Sequence, residues 1–205
     1  MKRLIWISGL PTLFMAATLA AFVVAPAQAD VAPDALIKTV ATDVTTVLKA
    51  DPAILSNAAK LKELIESKLI PNFSFARMTQ LAMGRNWAKA SPEQQTALTR
   101  EFQTLLVRTY SGALANFRNN TIDVRPLRMA PADADVTVKT VINQANGQGI
   151  PIDYSLEKSA DGSWKAYDII VAGVSLVTNY RDEFNTVIRD QGVDALVKQL
   201  QSKNK

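Results

Sequence analysis

The sequence predicts an α+β fold in which helices pack on one face of a curved, four-stranded antiparallel sheet. Three observations carry this prediction. Apolar residues recur at helical spacing in the first half of the chain, alternate with a period of two from Thr121 to about Val171, and return to helical spacing from Val174. Helices that flank a run of antiparallel strands are typical of a two-layer α+β domain.

The first 29 residues are organised like a secretory signal peptide. Lys2 and Arg3 precede an apolar run, and Ala27-Gln-Ala29 then supplies the small residues of a cleavage site. We expect cleavage before Asp30, so that 1–29 is removed and 30–205 forms one exported domain. A retained membrane anchor is the alternative, because the apolar run is long enough to span a thin bilayer.

Three helices are predicted next. Asp51-Pro52 ends the first, because a residue before proline is pushed out of the helical region. Pro71 closes the second, and the third begins after Ser74 as N-cap and ends at Gly84. Their apolar faces are Leu36, Val40, Val44 and Leu48 in the first, Leu61, Leu64, Ile65 and Leu69 in the second, and Phe75, Met78 and Leu81 in the third.

A fourth helix has the clearest start signal. Ser91 and Gln94 form a capping box with Pro92 at the first helical position. The apolar stripe continues to about Asn119, which predicts a single helix roughly 40 Å long that serves as the spine of the domain.

Four strands and a closing helical segment follow. Asn146-Gly147 and Asp161-Gly162 are hairpin turn signals, so the strands are predicted to be antiparallel. A helix is expected from Val174 to Gly192, with a short last turn after it. The alternating apolar positions are Ile122 and Val124, then Val136, Val138 and Thr140, then Ile150, Ile152, Tyr154 and Leu156, then the run from Trp164 to Val171.

Composition removes several functional classes. The chain contains no cysteine and no histidine, which excludes disulfides, histidine-dependent hydrolase triads and histidine-ligated zinc. Loss of Lys2 and Arg3 with the signal peptide lowers the net charge of +4 to about +2. Because nucleic-acid binding needs basic residues clustered on one face, we expect no nucleic-acid partner.

No carboxylate spacing resembles a metal site, and no metal, cofactor or catalytic residue is assigned. Asp168 leaves two interpretations open. It could be a buried general base with Tyr154 or Tyr110 as a hydrogen-bond donor, or a structural aspartate paired with an arginine or a backbone amide. The second interpretation is favoured.

Several segments resemble the toluene-tolerance (Ttg2-type) family, the MlaC-like periplasmic phospholipid-binding components of the system that maintains outer-membrane lipid asymmetry. The resemblance covers nearly all of 30–205 in one collinear order. The matching segments are 73–94 (FSFARMTQLAMGRNWAKASPEQ), 101–110 (EFQTLLVRTY), 164–168 (WKAYD), 173–184 (GVSLVTNYRDEF) and 192–196 (GVDAL).

The resemblance implies a carrier, not an enzyme, on a cone-shaped, NTF2-like fold with an apolar cavity for acyl chains. It implies that the protein is a monomer and shuttles phospholipid between two membrane complexes. One is an inner-membrane ABC transporter complex with its substrate-binding-domain protein, and the other is an outer-membrane lipoprotein–porin complex. The lipid-binding residues expected from it are Phe75, Met78, Leu81, Tyr110, Leu114, Val138, Ile152, Tyr154, Val174, Val177, Tyr180 and Phe184.

Two other classes stay open. Each of those residues could be ordinary core, because periodicity does not distinguish a filled core from one opened into a tunnel. A ligand-free periplasmic scaffold or chaperone would have such a solid core. A small NTF2-like enzyme using Asp168 would instead have a compact pocket around a carboxylate.

Overall fold

A computed structural model describes residues 31–144 and 147–205. The predicted signal peptide and Asn146 of the predicted turn lie outside the described residues. Within the described part of the chain, no helix is both long and apolar enough to cross a membrane.

The first third of the described chain is helical, as predicted. Asp51 leaves the helical region before Pro52, and its carboxylate accepts a hydrogen bond from Ala53 N at 3.1 Å. The second predicted helix is irregular: α2 is followed by one turn of π-helix and then a 3₁₀ turn. The elements are α1 (Pro33–Ala50), a 3₁₀ segment (Pro52–Ser56), α2 (Ala58–Leu64), the π turn (Ile65–Leu69), a 3₁₀ turn (Ile70–Asn72), α3 (Phe75–Met83) and a 3₁₀ segment (Gly84–Lys89).

The fourth helix begins as predicted and ends earlier. The Ser91 hydroxyl accepts from Gln94 N, and the Gln94 side chain accepts from Ser91 N, so both bonds of the capping box are present. Helix α4 (Pro92–Tyr110) then tightens into a 3₁₀ segment (Ser111–Leu114), and α5 (Ala115–Asn119) follows. The predicted continuous helix to Asn119 is therefore divided at Ser111.

In residues 31–144 and 147–205 the sheet has five antiparallel strands in the order β1-β2-β3-β4-β5, one more than predicted. The additional strand is two residues long and pairs with the end of β4 across a tight turn. Ala172 (φ 49°) and Gly173 (φ 84°) occupy left-handed conformations in that turn, as a two-residue type I′ hairpin requires. The strands are β1 (Thr121–Val124), β2 (Asp135–Asn143), β3 (Gly149–Lys158), β4 (Trp164–Val171) and β5 (Val174–Ser175).

A β-bulge bends the β3–β4 pair. Ser155 pairs with Asp168 and Leu156 with Ala166, so Tyr167 is an extra residue on β4. A bulge increases the local twist and bends the strand that carries it. Tyr167 packs against α3 and the other helices of its cluster, and Tyr154 and its partner Ile169 pair beside the bulge.

The chain ends in two helices. Helix α6 (Leu176–Gln191) begins two residues later than predicted because Val174 and Ser175 form β5. Gly192, at φ 85°, separates it from α7 (Val193–Lys203), which is a full helix instead of the predicted short turn. Leu196 and Leu200 of α7 are completely buried.

Three separate apolar clusters form the interior of the part that the structure describes. The helical cluster joins α3, α4, α6 and α7 around Phe102 and Phe184. The sheet cluster packs Ile37 of α1 on β2, β3 and β4. The hairpin cluster joins the second half of α1 to α2, the π turn and Leu114. The space where these three clusters meet is not filled, and it contains the candidate site.

Candidate functional site

An apolar cavity of about 240 Å³ lies between the three clusters. Each cluster contributes wall residues: Met78 and Leu106 from the helical cluster, Ala166 from the sheet cluster, and Ile65 from the hairpin cluster. Engineered apolar cavities of about 150 Å³ already bind small hydrocarbons. The cavity is therefore large enough to accept part of a hydrocarbon chain.

Two breaks in regular helix and several small side chains keep the space open. The π turn directs Ile65 and Leu69 at the cavity, and the 3₁₀ segment after α4 places Ser111 and Ala113 on its wall. Ala41 adds a further short side chain. Protein interiors are normally packed at crystal-like density. An unfilled space of this size therefore indicates a ligand-binding site.

The cavity opens at one end. Tyr110, Ala113 and Val171 are exposed and also line the wall, which places the mouth between the end of α4 and the end of β4. Val44 and Met78 also line the cavity and are almost completely buried, so they belong to its closed part, which we call the floor. A long ligand would enter through this mouth and leave its other end in water.

Among the residues that the structure describes, four polar side chains line the wall and no charged one does. The Asn72 amide donates to Lys68 O at 2.8 Å, and the Ser111 hydroxyl to Arg108 O at 3.4 Å. Tyr110 is exposed at the mouth of the cavity. Such a lining excludes ions and favours hydrocarbon, because an unpaired charge in an apolar site is strongly disfavoured.

Tyr154 is the exception among these polar groups. Its hydroxyl has no hydrogen-bond partner in the described chain. The side chain is partly buried and borders the cavity. Desolvation by burial raises the pKa of Tyr154 to about 12.

The twelve residues expected at the site divide evenly. The structure brings Phe75, Met78, Tyr110, Leu114, Ile152 and Tyr154 together on the cavity wall.

The other six do not line the cavity. Val177, Tyr180 and Phe184 lie in the helical cluster, where the Phe102 ring is 4.9 Å from Tyr180 and 5.1 Å from Phe184. Leu81 packs against the same cluster, Val138 is fully buried in the sheet cluster, and Val174 is 60% exposed at the β4–β5 turn. Val177, Tyr180 and Phe184 do not reach the cavity because this apolar stripe of α6 packs against α3, α4 and α7.

Most of the wall comes from residues that the sequence did not single out. Most of them have the apolar spacing of ordinary core; alanine at three positions and the polar Asn72 and Ser111 are the exceptions. These residues are Ile37, Val40, Ala41, Val44, Ile65, Leu69, Ile70, Asn72, Phe73, Leu106, Val107, Ser111, Ala113, Phe117, Ile122, Ala166, Ile169, Val171 and Leu176.

Asp168 has a structural role. Its Oδ1 accepts from Ile169 N at 2.9 Å and from Val177 N at 3.1 Å, and its Oδ2 accepts from the Ser175 hydroxyl at 2.5 Å. Ser175 in turn accepts from Thr178 N. Asp168 therefore anchors the start of α6, in agreement with the backbone-amide interpretation, and its hydrogen bonds within the described residues go to Ile169, Ser175 and Val177 and not to Tyr154 or Tyr110. No cluster of potential metal ligands occurs among the described residues.

Known proteins share both the sequence and the fold. The intermembrane phospholipid transport system binding protein MlaC of Haemophilus influenzae is 25% identical over 178 residues, which are 85% of this chain and 83% of that protein. The toluene tolerance protein ttg2D of Pseudomonas putida is 33% identical over 107 residues, 52% of this chain and 48% of that protein.

A solved structure extends the comparison. The phospholipid-binding protein of Ralstonia solanacearum, determined in complex with a phospholipid, is 43% identical with a TM-score of 0.77, and the alignment covers 86% of this chain and 97% of that one. The sequence profile of the MlaC protein family matches residues 38–202. The resemblance inferred from the sequence motifs is thus confirmed, and the chain belongs to the MlaC protein family.

Proposed function

We propose that this protein is a periplasmic phospholipid carrier that holds acyl chains in the cavity and leaves the headgroup at the mouth. The observation that carries the proposal is the uncharged apolar cavity, open at one end, in a chain 43% identical to a protein solved with a phospholipid. No cofactor is required, because the lipid is cargo.

The energetics of a carrier need no specific chemistry in the cavity. Each methylene removed from water gains about 0.8 kcal/mol. A lipid that leaves a bilayer for the cavity exchanges one apolar surrounding for another, so the two terms nearly cancel. A wall that offers apolar contact without charge is then sufficient for reversible exchange.

The proposed lipid contacts are the six predicted residues on the wall, Phe75, Met78, Tyr110, Leu114, Ile152 and Tyr154. They come from α3, α4, the following 3₁₀ segment and β3, so they surround the space from several sides. Tyr110 lies at the mouth and Met78 at the floor. A chain that contacts both would run the length of the cavity.

The proposed route follows from the compartment and the relatives. Residues 1–29 direct export and are cleaved, and 30–205 acts in the periplasm as a monomer. The carrier exchanges lipid with an inner-membrane ABC transporter complex that includes a substrate-binding-domain protein, and with an outer-membrane lipoprotein–porin complex. The name of the Haemophilus relative, a binding protein of intermembrane phospholipid transport, supports this route.

Mass spectrometry of bound lipid tests the proposal. The protein is exported with its own N-terminal segment in a Gram-negative host and purified without detergent, and its organic extract is analysed. We expect near-stoichiometric phospholipid with a spread of headgroups. Protein without lipid that also takes none from phospholipid vesicles contradicts the proposal.

Matched glutamate variants test where the lipid lies. Ile169→Glu puts a carboxylate on the cavity wall of β4, whereas Val174→Glu puts one on the exposed neighbouring strand. We expect Ile169→Glu to lose most of its lipid and Val174→Glu to retain it. Equal lipid content in the two folded variants would place the lipid outside the cavity.

A further inference from the structure

The unpartnered hydroxyl of Tyr154 has a consequence for what the cavity recognises. Of the other polar side chains described on the wall, Asn72 and Ser111 are hydrogen-bonded within the protein, and Tyr110 is exposed at the mouth. When hydrocarbon fills the cavity, the Tyr154 hydroxyl loses access to water. A buried hydroxyl without a partner is strongly unfavourable, so the ligand itself must bring an acceptor to this position.

The position of Tyr154 along the sheet identifies that acceptor. Ile152 pairs with Val171, which is exposed at the mouth, and Tyr154 pairs with Ile169 one step further in. Two residues along a strand correspond to about 7 Å. The next inward pair, Leu156 and Ala166, is almost completely buried. Tyr154 therefore lies just inside the mouth and above the floor.

In a phospholipid, the acceptors at that depth are the ester carbonyl oxygens. With the headgroup in water at the mouth, the glycerol esters follow directly inside, and the methylene chains below them contain no acceptor. We propose that the Tyr154 hydroxyl donates a hydrogen bond to an ester carbonyl oxygen of the bound phospholipid, so that the cavity selects ester-linked over ether-linked chains. This inference rests on the proposed function.

The protonation state of Tyr154 suits this role. With its pKa raised to about 12 by desolvation, the phenol is neutral and remains a donor across the whole physiological range. The net free energy of a neutral hydrogen bond in a protein corresponds to a roughly threefold to tenfold preference for a ligand that can accept the bond over one that cannot. Selection of that size fixes the depth of the lipid without preventing its release.

A competition between two lipids tests the inference. Delipidated protein is mixed with vesicles containing equal amounts of diester phosphatidylglycerol and its diether analogue with the same chains, and the bound lipids are quantified by mass spectrometry. We expect wild-type protein to be enriched about threefold to tenfold in the diester lipid. We expect Tyr154→Phe to bind both lipids in a ratio near one.

Tyr167→Phe is the matched control, because it removes a hydroxyl that bonds to Asp135 outside the cavity. It should keep the wild-type preference. Tyr154→Phe keeps the ring and removes a group without a partner, so the empty variant should melt no lower than wild type. The inference is overturned if wild type does not favour the diester lipid, or if Tyr154→Phe favours it equally. Uptake of neither lipid by wild type would instead overturn the proposed function.

Discussion

Ile152→Trp is the most direct perturbation of the cavity. Ile152 lies on β3 near the mouth, pairs with Thr140 and Val171, and directs its side chain into the open space. An indole at this position extends into the cavity from a strand, where aromatic residues are well accommodated. The substitution should therefore fill space that is empty in the lipid-free protein and occupied by acyl chain in the loaded one.

The size of the effect follows from the cavity volume. Empty apolar volume in a protein interior costs roughly 24 cal/mol per Å³, so the 240 Å³ cavity costs the lipid-free protein up to about 6 kcal/mol. Filling about a quarter of it would return about 1.5 kcal/mol. For a domain of this length, that gain corresponds to a Tm increase of about 3–6 °C.

The assay compares delipidated proteins by calorimetry and then measures lipid uptake from vesicles. We expect Ile152→Trp to melt higher than wild type and to take up little lipid. Thr137→Trp, on the exposed face of β2, is the control and should change neither quantity. A lower Tm for Ile152→Trp would show that the side chain is overpacked, and normal lipid uptake would show that chains do not enter here. Either result refutes the reasoning.

Three further predictions concern the scaffold. Ala172→Gly relieves a left-handed alanine and should stabilise the protein by about 0.5–1 kcal/mol in urea denaturation; a loss of stability would contradict the turn geometry. Asp168→Asn weakens the bonds that begin α6 and should cost about 1–3 kcal/mol with lipid uptake preserved; unchanged stability would contradict its structural role. The pKa of Tyr154 is about 12 in the folded protein and near 10 in the unfolded chain. Between these values the unfolded chain loses the phenol proton while the folded protein keeps it, so the free energy of unfolding is fully retained below pH about 10 and falls by on the order of 2 kcal/mol as pH rises toward 12. The denaturant midpoint of Tyr154→Phe should fall less over this window.

The elements that could be predicted from the sequence are those with local chemical signals. Pro52 ends α1, the Ser91 and Gln94 side chains cap α4, and Gly192 ends α6, because each acts through backbone atoms only a few residues away. The period of two from β1 to β4 and the turn at Gly162 likewise predicted the antiparallel sheet. The family motifs identified the chain from residue types and order alone.

The partners of each apolar face were decided by the tertiary structure. The stripe of α6 marks Val177, Tyr180 and Phe184 as buried, but periodicity does not tell whether they face a cavity or other helices. In the structure they belong to the helical cluster, where the Tyr180 and Phe184 rings pack against Phe102. The break after Tyr110 was also missed, since residues 111–119 retain good helical spacing.

The cavity itself has no local signal in the sequence. Its residues carry the same apolar pattern as core, because both kinds of position avoid water. Whether facing side chains meet or leave a gap depends on the relative placement of α1, the π turn, α4 and the bulged β3–β4 pair, which are far apart in the chain. The sequence by itself determined which surfaces are apolar and which family the chain resembles, and the tertiary structure decided which of those surfaces fail to touch and so leave room for a ligand.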